Sequence, residues 1–453
     1  MKSTVRIRTH HMVTISTLLV WASVTAAAEE RATDRYAFKT MARTGQSEDG
    51  VTFGPYFQPG GINDAGEISF APSLQTGGES VFLGALGHLT RIRAAGDPLP
   101  GGATFGYTLG PIGITLGGDT AFISTDLSVP LPEGLGAGVY RTIFGTPLLL
   151  PLMLPGVTRT RSGQTLRGAA FNAQINNRYE TVFPGIVCSA APSSVTSTWP
   201  CDTGKQLAFG IYQANVFGEI STIVEPGSPA PGGSTFDYAQ VPFNNNVGDI
   251  AFDGHVYGEA CRDAQTQPGR IFCDESVYLR RALTGAIVSI AHQDQPSPVF
   301  NQTYNFAFGP VLNDFGDLVF IGNLSATGNN AVFLYAHGIT ITIAKPGDPM
   351  PGGGHFKQAG GFPHTAYLNN NGEITFIATL DDGGQGLYVW KNGSLILVAK
   401  TGTTVGSGEV IKNLDDFGVG AASTQIAIND HGQIVFAANL TTGSSAVLVA
   451  TPR

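Results

Sequence analysis

The stretch Val311–Leu324, VLNDFGDLVFIGNL, decides the fold because its pattern returns along the chain. Copies of N-x-x-G-[ED]-[IL]-x-F, some of them worn, start at Asn63, Asn176, Asn245, Asn313, Asn369 and Asn429. The stretch TLGGDTAF, from Thr115, is a further worn copy. Consecutive copies begin 52, 61, 69, 68, 56 and 60 residues apart. Seven copies at this spacing indicate a repeat architecture.

Each copy continues in the same way. A short β-rich run such as GLYVW, from Gly386, is followed by a tight Gly turn, an apolar run and a Gly/Pro segment such as KPGDPMPGGGHF, from Lys345. Runs rich in β-branched and aromatic residues and bounded by Gly, Asn and Asp are typical of strands. No stretch shows a capped helical period. The sequence therefore predicts an all-β protein, and four strands per unit are typical of propeller blades.

The seventh copy stops at Ala446–Arg453, AVLVATPR, before its last strand. The stretch Phe38–Phe53, FKTMARTGQSEDGVTF, reads like the missing part. A linear solenoid has no reason for this split, but a closed ring does, because sharing a blade between the termini removes exposed strand edges. We predict a seven-bladed β-propeller with its closing blade shared between N- and C-terminal strands.

The N-terminus has the features of a secretory signal peptide. Basic Lys2 and Arg6 precede the apolar run Met12–Val24, which is too short to span a bilayer, and the small residues Ala26–Ala28 offer a cleavage site. We expect a signal peptide over 1–28, a short lead over 29–37 and one propeller domain over 38–453. The mature protein should be secreted, to the periplasm or outside the cell, and no other segment has transmembrane length.

Composition, net charge and the absence of known motifs limit which classes of partner and cofactor we expect. The chain has 25 Lys+Arg against 34 Asp+Glu, a net charge of −9, without a basic run, which argues against nucleic acid and anionic lipid. The acidic N-D-x-G turns offer too few oxygens for calcium and are explained by hairpin geometry. Nucleophile-elbow, zinc-protease and nucleotide-binding motifs are absent from the sequence. We expect no metal, no cofactor, no nucleic acid, no membrane span and a monomer.

The four cysteines form two close pairs, Cys188 with Cys201 and Cys261 with Cys273. Four cysteines allow three connectivities, and export favours the two local bridges. A zinc site is the alternative, although the CxxC-like spacing it needs is missing. The pairs fall in inserts over about 184–208 and 253–275, between the second and third strands of blades three and four.

The two faces of the predicted ring differ. In each blade the tight A–B and C–D turns share one face, which looks structural. The B–C loops and the D-to-A crossovers share the other face, which carries both inserts. Functional loops usually sit on such a rigid scaffold, so we expect any site on the insert-bearing face, at the mouth of the channel and nearest blades three to five.

Candidate site residues are those that break the repeat there. The candidates for catalysis are His255, Tyr257, Arg262, His292, Tyr304, His355 and His364. The candidates for binding are Tyr107, Arg167, Trp199 and Tyr238. Such groups around an acidic sugar could remove a proton and neutralise a carboxylate. The alternative for each is an ordinary loop residue with local hydrogen bonds.

The repeated unit and the following G-D-P-x-P-G-G together resemble the tandem repeats of secreted bacterial proteins of unknown function with propeller-like folds. The resemblance extends from about Phe38 to the end, but copy two has lost its Asn and copy four its Pro-Gly-Gly. It implies export and the repeat fold, and it supplies no catalytic residues.

Two functions remain open. The first is a binding or scaffold module for an extracellular polysaccharide or protein ligand. The second is a carbohydrate-active enzyme, a polysaccharide lyase or hydrolase, with its site at the channel mouth. A redox or quinone-dependent propeller is a weaker third reading without a cofactor motif. The fold itself cannot choose among them.

Overall fold

The structure is a computed structural model that describes residues 35–85, 87–128, 137–189, 201, 206–259, 275–360, 366–406, 408–414 and 425–453. Its elements are all strands, and they form seven small antiparallel sheets. The sheets are arranged as the blades of a seven-bladed β-propeller, which confirms the predicted fold class. Among the described residues, no helix is long and apolar enough to cross a membrane.

The strands follow one another blade by blade, from the channel outward. The first strand and those of blades one to three are β1 (Tyr36–Arg43), β2 (Ser47–Glu48), β3 (Val51–Ile62), β4 (Ile68–Leu74), β5 (Ser80–Ala85), β6 (His88–Ala94), β7 (Phe105–Thr108), β8 (Gly113–Ile114), β9 (Thr120–Asp126), β10 (Gly138–Ile143), β11 (Thr146–Met153), β12 (Gly168–Ala169), β13 (Gln174–Ile175), β14 (Thr181–Ser189), β15 (Gln206–Ala214) and β16 (Ile220–Val224). Those of blades four to seven are β17 (Phe236–Asn244), β18 (Ile250–Val256), β19 (Ser276–Arg280), β20 (Ile287–Ala291), β21 (Tyr304–Leu312), β22 (Leu318–Leu324), β23 (Asn330–Ala336), β24 (Ile339–Ala344), β25 (Phe356–Ala359), β26 (Ala366–Leu368), β27 (Ile374–Leu380), β28 (Gln385–Lys391), β29 (Ser394–Lys400), β30 (Thr404–Val405), β31 (Glu409–Asn413), β32 (Ile426–Ile428), β33 (Ile434–Leu440) and β34 (Ser445–Pro452).

Blade seven is shared between the two ends of the chain, as predicted. Its strand order is β1-β34-β33-β31, so the N-terminal strand is the outermost one. The antiparallel register runs from Tyr36 opposite Pro452 to Arg43 opposite Ala446. β1 therefore covers the edge that β34 would otherwise expose.

The blades stack through aromatic and aliphatic side chains. All seven residues of β22 are buried, because this strand has neighbouring blades on both faces. The repeated Phe of the motif, Phe320, stacks on Phe333 with ring centroids 5.4 Å apart. Phe70 with Phe82 and Phe252 with Tyr278 repeat this stack in other blades. The motif Phe thus forms a core layer inside each of these blades.

The motif Asn caps the A–B turn and also joins neighbouring blades. Asn245 Oδ1 accepts the backbone N–H of Asp249 at 2.8 Å, and its Nδ2 donates to the backbone oxygen of Asn313 in the next blade at 2.8 Å. The same inter-blade bond runs from Asn63 to Thr115, Asn176 to Asn245, Asn313 to Asn369, Asn369 to Asn429 and Asn429 to Asn63. We call these Asn residues the Asn ring; only blade two, with Thr115, lacks the amide.

One disulfide joins Cys188 to Cys201, with 5.4 Å between their Cα atoms. This confirms the first predicted local bridge. Cys261 and Cys273 lie outside the described residues, so the second bridge stays a prediction.

Candidate functional site

On the insert-bearing face, the innermost strands begin with β-bulges. In each of these strands the first paired residue is a buried apolar one, which we call the anchor. The pairing register shifts directly after the anchor, for example between Phe236 and Tyr238 and between Phe356 and Gln358. Bulges re-aim side chains and are common beside active sites. We define the bulge ring as the residues at or next to these positions, with Arg167 at the matching place in blade three: Tyr56, Tyr107, Arg167, Asp237, Asn305, Lys357 and Lys412.

The bulge ring varies from blade to blade, unlike the Asn ring on the other face. Tyr56 and Tyr107 are exposed although they are large and aromatic. Lys357 and Lys412 are also exposed, and Arg167 is half-buried. The ring therefore presents aromatic surfaces and cations at the face where the sequence predicts a site.

Blade four places an acid at this position, and the acid holds a histidine. Asp237 follows the anchor Phe236, and its Oδ2 lies 3.1 Å from Nδ1 of His255 on the neighbouring strand. Both side chains are buried; His255 is 3% exposed. A carboxylate only accepts hydrogen bonds, so Nδ1 carries the proton and donates it. Nε2 of His255 has no hydrogen-bond partner among the described residues.

Two predicted tyrosines flank this pair. The ring of Tyr238 stacks on His255 at 5.6 Å with an interplanar angle of 15°, and Tyr238 is fully buried. Tyr257 lies at the blade-four B–C loop, and burial followed by the negative charge of Asp237 raises the pKa of its phenol. His255, Tyr257 and Tyr238 are therefore brought together, around an aspartate that the sequence analysis had not singled out.

A second acidic group lies deeper in blade four. Asp253, two residues before His255, is fully buried, and burial followed by the charge of Glu275 raises its pKa well above the usual range. Its Oδ1 accepts the backbone N–H of Gly309 in blade five at 3.0 Å. Glu275 in turn accepts a hydrogen bond from Nε2 of Gln240. These carboxyl groups therefore share a buried environment that favours the protonated form of Asp253.

The remaining described candidates have other contact partners. His292 is exposed and its Nδ1 donates to the backbone oxygen of Gln293 at 2.9 Å. His355 is exposed on blade six and its Nδ1 lies 3.0 Å from Oδ2 of Asp381. Tyr304 is buried against Phe333, at the anchor position that Phe236 occupies in blade four.

Three further candidates, Arg262, Trp199 and His364, lie outside the described residues. Their roles as candidate site residues on the insert-bearing face stay predictions. Within the described part of the chain, no group of three His, Cys, Asp or Glu side chains is arranged to hold a metal ion.

The opposite, turn-side mouth of the channel holds a cavity of about 180 Å³. The Asn ring lines it together with the next residue of each turn, among them Asp64, Asp314 and Asp430. These aspartates accept hydrogen bonds from neighbouring blades. Asp314 Oδ1 accepts the backbone N–H of Asn246 at 2.8 Å, and Asp430 Oδ1 accepts that of Asn370 at 2.7 Å. The polar lining therefore serves ring closure.

Below this cavity, aromatic side chains meet across the channel. Phe243 of blade four contacts Tyr367 of blade six edge to face, with ring centroids 5.6 Å apart. Blades four and six are not neighbours, so the contact crosses the channel.

The solved structures that this chain resembles are distant from it in sequence and in superposition. A puromycin-hydrolyzing peptidase of Mycobacterium tuberculosis is 13% identical, with a TM-score of 0.49, over 87% of this chain and 51% of that one. A Trypanosoma rangeli sialidase is 11% identical, with a TM-score of 0.37, over 91% and 58%. A GH93 alpha-L-arabinofuranosidase of Fusarium graminearum is 10% identical, with a TM-score of 0.37, over 81% and 96%. Such distant similarity concerns the fold alone.

The chain spans about half the length of the first two solved structures it matches. No curated protein matches its sequence. One protein-family model matches residues 21–452, which include the whole propeller up to its penultimate residue.

Proposed function

The chain belongs to DUF7453, a family of unknown function, and from this premise we propose that it is an exported binding propeller for an acidic polysaccharide. The N-terminal pattern of a signal peptide supports export. The Cys188–Cys201 disulfide agrees, because such bonds persist in oxidising compartments. The ligand would bind on the insert-bearing face.

The bulge ring is the observation that carries this proposal. Tyr56 and Tyr107 offer exposed rings on which sugar faces can pack. Lys357, Lys412 and Arg167 offer cations that attract carboxylate or sulfate groups. The whole chain carries a net charge of −9, so the positive charge of these three side chains is opposite in sign to that of the protein as a whole. Aromatic and cationic groups around one mouth suit an acidic sugar polymer better than a neutral one.

The test is binding of the purified protein, from residue 29 onward, to polygalacturonate, alginate and neutral dextran. We expect retention on the acidic polymers that falls about tenfold in the double variant K357Q/K412Q, because two charge-assisted contacts are lost. The matched control is K39Q/R43Q, which removes two exposed cations from the outermost strand β1. Retention of none of the acidic polymers, or an equal loss in the control, would contradict the proposal.

A second function, catalysis on the same polymer, is favoured by the Asp237–His255 pair. Asp237 fixes the histidine with its proton on Nδ1, which leaves the lone pair of Nε2 to accept a proton from a substrate carbon beside a carboxylate. Elimination of the neighbouring glycosidic oxygen would then leave an unsaturated sugar. The burial of His255 is the reason that binding ranks ahead of catalysis.

Absorbance of the unsaturated sugar product measures this second function directly. The lyase function requires unsaturated product from the wild type, and loss of that product in H255Q with polymer retention unchanged. Retention without any unsaturated product leaves the binding function alone.

A further inference from the structure

The turn face carries large apolar side chains at the tips of its hairpins. Phe144 and Leu283 lie in the C–D turns of blades two and four and are 86% and 97% exposed. Phe217 occupies the same turn of blade three. Val247 and Phe315 are exposed in the A–B turns of blades four and five, and Leu116 in that of blade two. We call these six residues the apolar arc.

The apolar arc is confined to one part of the ring. Blades six and seven carry Asn371 and His431 where blade five has Phe315. The C–D turn of blade six carries Asn392 where blade two has Phe144. All A–B and C–D turns point to the same face, so the arc forms a row of tips over blades two to five. Large exposed apolar side chains grouped on one face of a protein mark an interaction site.

Phe144 is placed against the preference of its own turn. It has φ of 54°, in the left-handed region where bulky residues are rare, and it is followed by Gly145. Asn392 and His337 hold the same turn position with φ of 51° and 53°, and Asn-Gly is the pair that such turns favour. The turn itself would be better served by Asn. A strained, exposed Phe points to a role outside the fold.

The described chain also enters the propeller at this face. The first strand starts at Tyr36, opposite Pro452, on the side of the C–D turns. The apolar run Met12–Val24 ends 12 residues earlier, within a reach of about 40 Å of extended chain. While that run resides in a membrane during export, the turn face is the one tethered toward the bilayer.

We propose that the apolar arc docks the propeller onto a phospholipid bilayer surface. Apolar tips on one face, of which Phe144 and Leu283 are almost fully exposed, suit insertion among lipid headgroups. Arg178 is paired with Glu180 at 2.8 Å and Arg281 with Asp249 at 2.8 Å, so cations add little free charge to the arc. The nearby cavity also has three aspartates in its lining. Apolar insertion therefore drives docking, and anionic lipid weakens it.

The experiment is co-sedimentation of the protein lacking residues 1–28 with phosphatidylcholine vesicles, alone or mixed with phosphatidylglycerol. We expect binding to phosphatidylcholine that persists in high salt and declines with the anionic lipid. The variant F144N/F217S/L283S should bind about tenfold less, because it withdraws three apolar side chains from the lipid. The control L127S/V157S/F300S removes three exposed apolar side chains from the insert-bearing face and should bind like the wild type.

F144N alone separates docking from folding. It should unfold at the same temperature as the wild type or a higher one, because Asn suits the turn, and still bind vesicles less tightly. A wild type that stays in the supernatant with both lipids overturns the proposal, as does an equal loss of binding in the control. A dimer that the arc variant dissociates, without vesicle binding, also overturns it and assigns the arc to a second copy of the chain.

Discussion

The side-chain amide of Asn429 donates a hydrogen bond of 2.9 Å to the backbone oxygen of Asn63, which lies 366 positions earlier in the chain. The same side chain accepts the backbone N–H of Gln433 at 2.9 Å within its own turn. One residue thus caps the hairpin of blade seven and fastens it to blade one. Pairing of β1 with β34 closes the same blade at its outer edge.

Replacing Asn429 by Ala should lower the free energy of unfolding by about 2–3 kcal/mol, because the buried oxygen of Asn63 and the turn N–H groups lose their partner. Urea unfolding followed by fluorescence measures the change. The control is Q75A, which removes an amide from an exposed turn. Equal unfolding midpoints for N429A and Q75A would mean that the ring does not depend on this bond.

Blade two offers the reverse test, because Thr115 stands where the other blades have Asn. Thr115 Oγ1 already accepts the N–H of Asp119 at 3.0 Å, so the cap is present and only the inter-blade donor is missing. T115N should supply a donor toward the backbone oxygen of Asn176 and raise the free energy of unfolding by about 1 kcal/mol. A lower stability than wild type would show that the buried site cannot take the amide.

Removing β1 should convert a closed ring into one with a bare strand edge. A chain that starts at Gln46 leaves β34 unpaired along its outer side, where Ala446–Thr451 now meet β1. Exposed edges of this kind pair with other chains. We expect this truncated chain to aggregate in light scattering at concentrations where a chain that keeps Arg35 and β1 does not. Equal scattering from both chains would contradict the closing role of β1.

The sequence predicted the ring because a local pattern, the Asn-capped turn, repeats at blade spacing. The inter-blade half of each Asn interaction was not predictable from the pattern. The partner of Asn429 depends on closure of the whole ring, and a turn cap alone already explains an Asn at that place. This contact forms only when ring closure brings blade seven beside blade one.

His255, one of the sequence candidates, lies in a buried pair with an acid, and the roles of all the candidates stay predictions. The sequence analysis named His255 but not its partner Asp237. The position of Asp237, directly after the repeated anchor Phe236, was the feature of the sequence that could have identified it. Asp253 also gave a signal, as an acid within the apolar run of β18. Tyr304, a candidate because it flanks the worn crossover after His292, aligns with Phe236 and is buried in the core.

The buried acids of blade four couple folding to pH. The folded-state pKa of Asp253 is raised, first by burial and then by Glu275, so the folded protein keeps a proton that the unfolded chain releases above about pH 4. The resulting stability is complete below that pH and declines as the pH rises through the raised pKa. One proton changes the free energy of unfolding by at most about 1.4 kcal/mol per pH unit.

D253N should flatten this decline above about pH 4, because the amide cannot ionise. Its Oδ1 still accepts the N–H of Gly309, so the link to blade five is kept. Urea midpoints measured across this range give the slope. D381N is the control: Asp381 is exposed, and its lowered pKa, caused first by the backbone N–H of His355, stabilises the fold only above acidic pH. Equal slopes for D253N and the wild type would assign the decline to another buried acid, such as Glu79, whose pKa burial also raises.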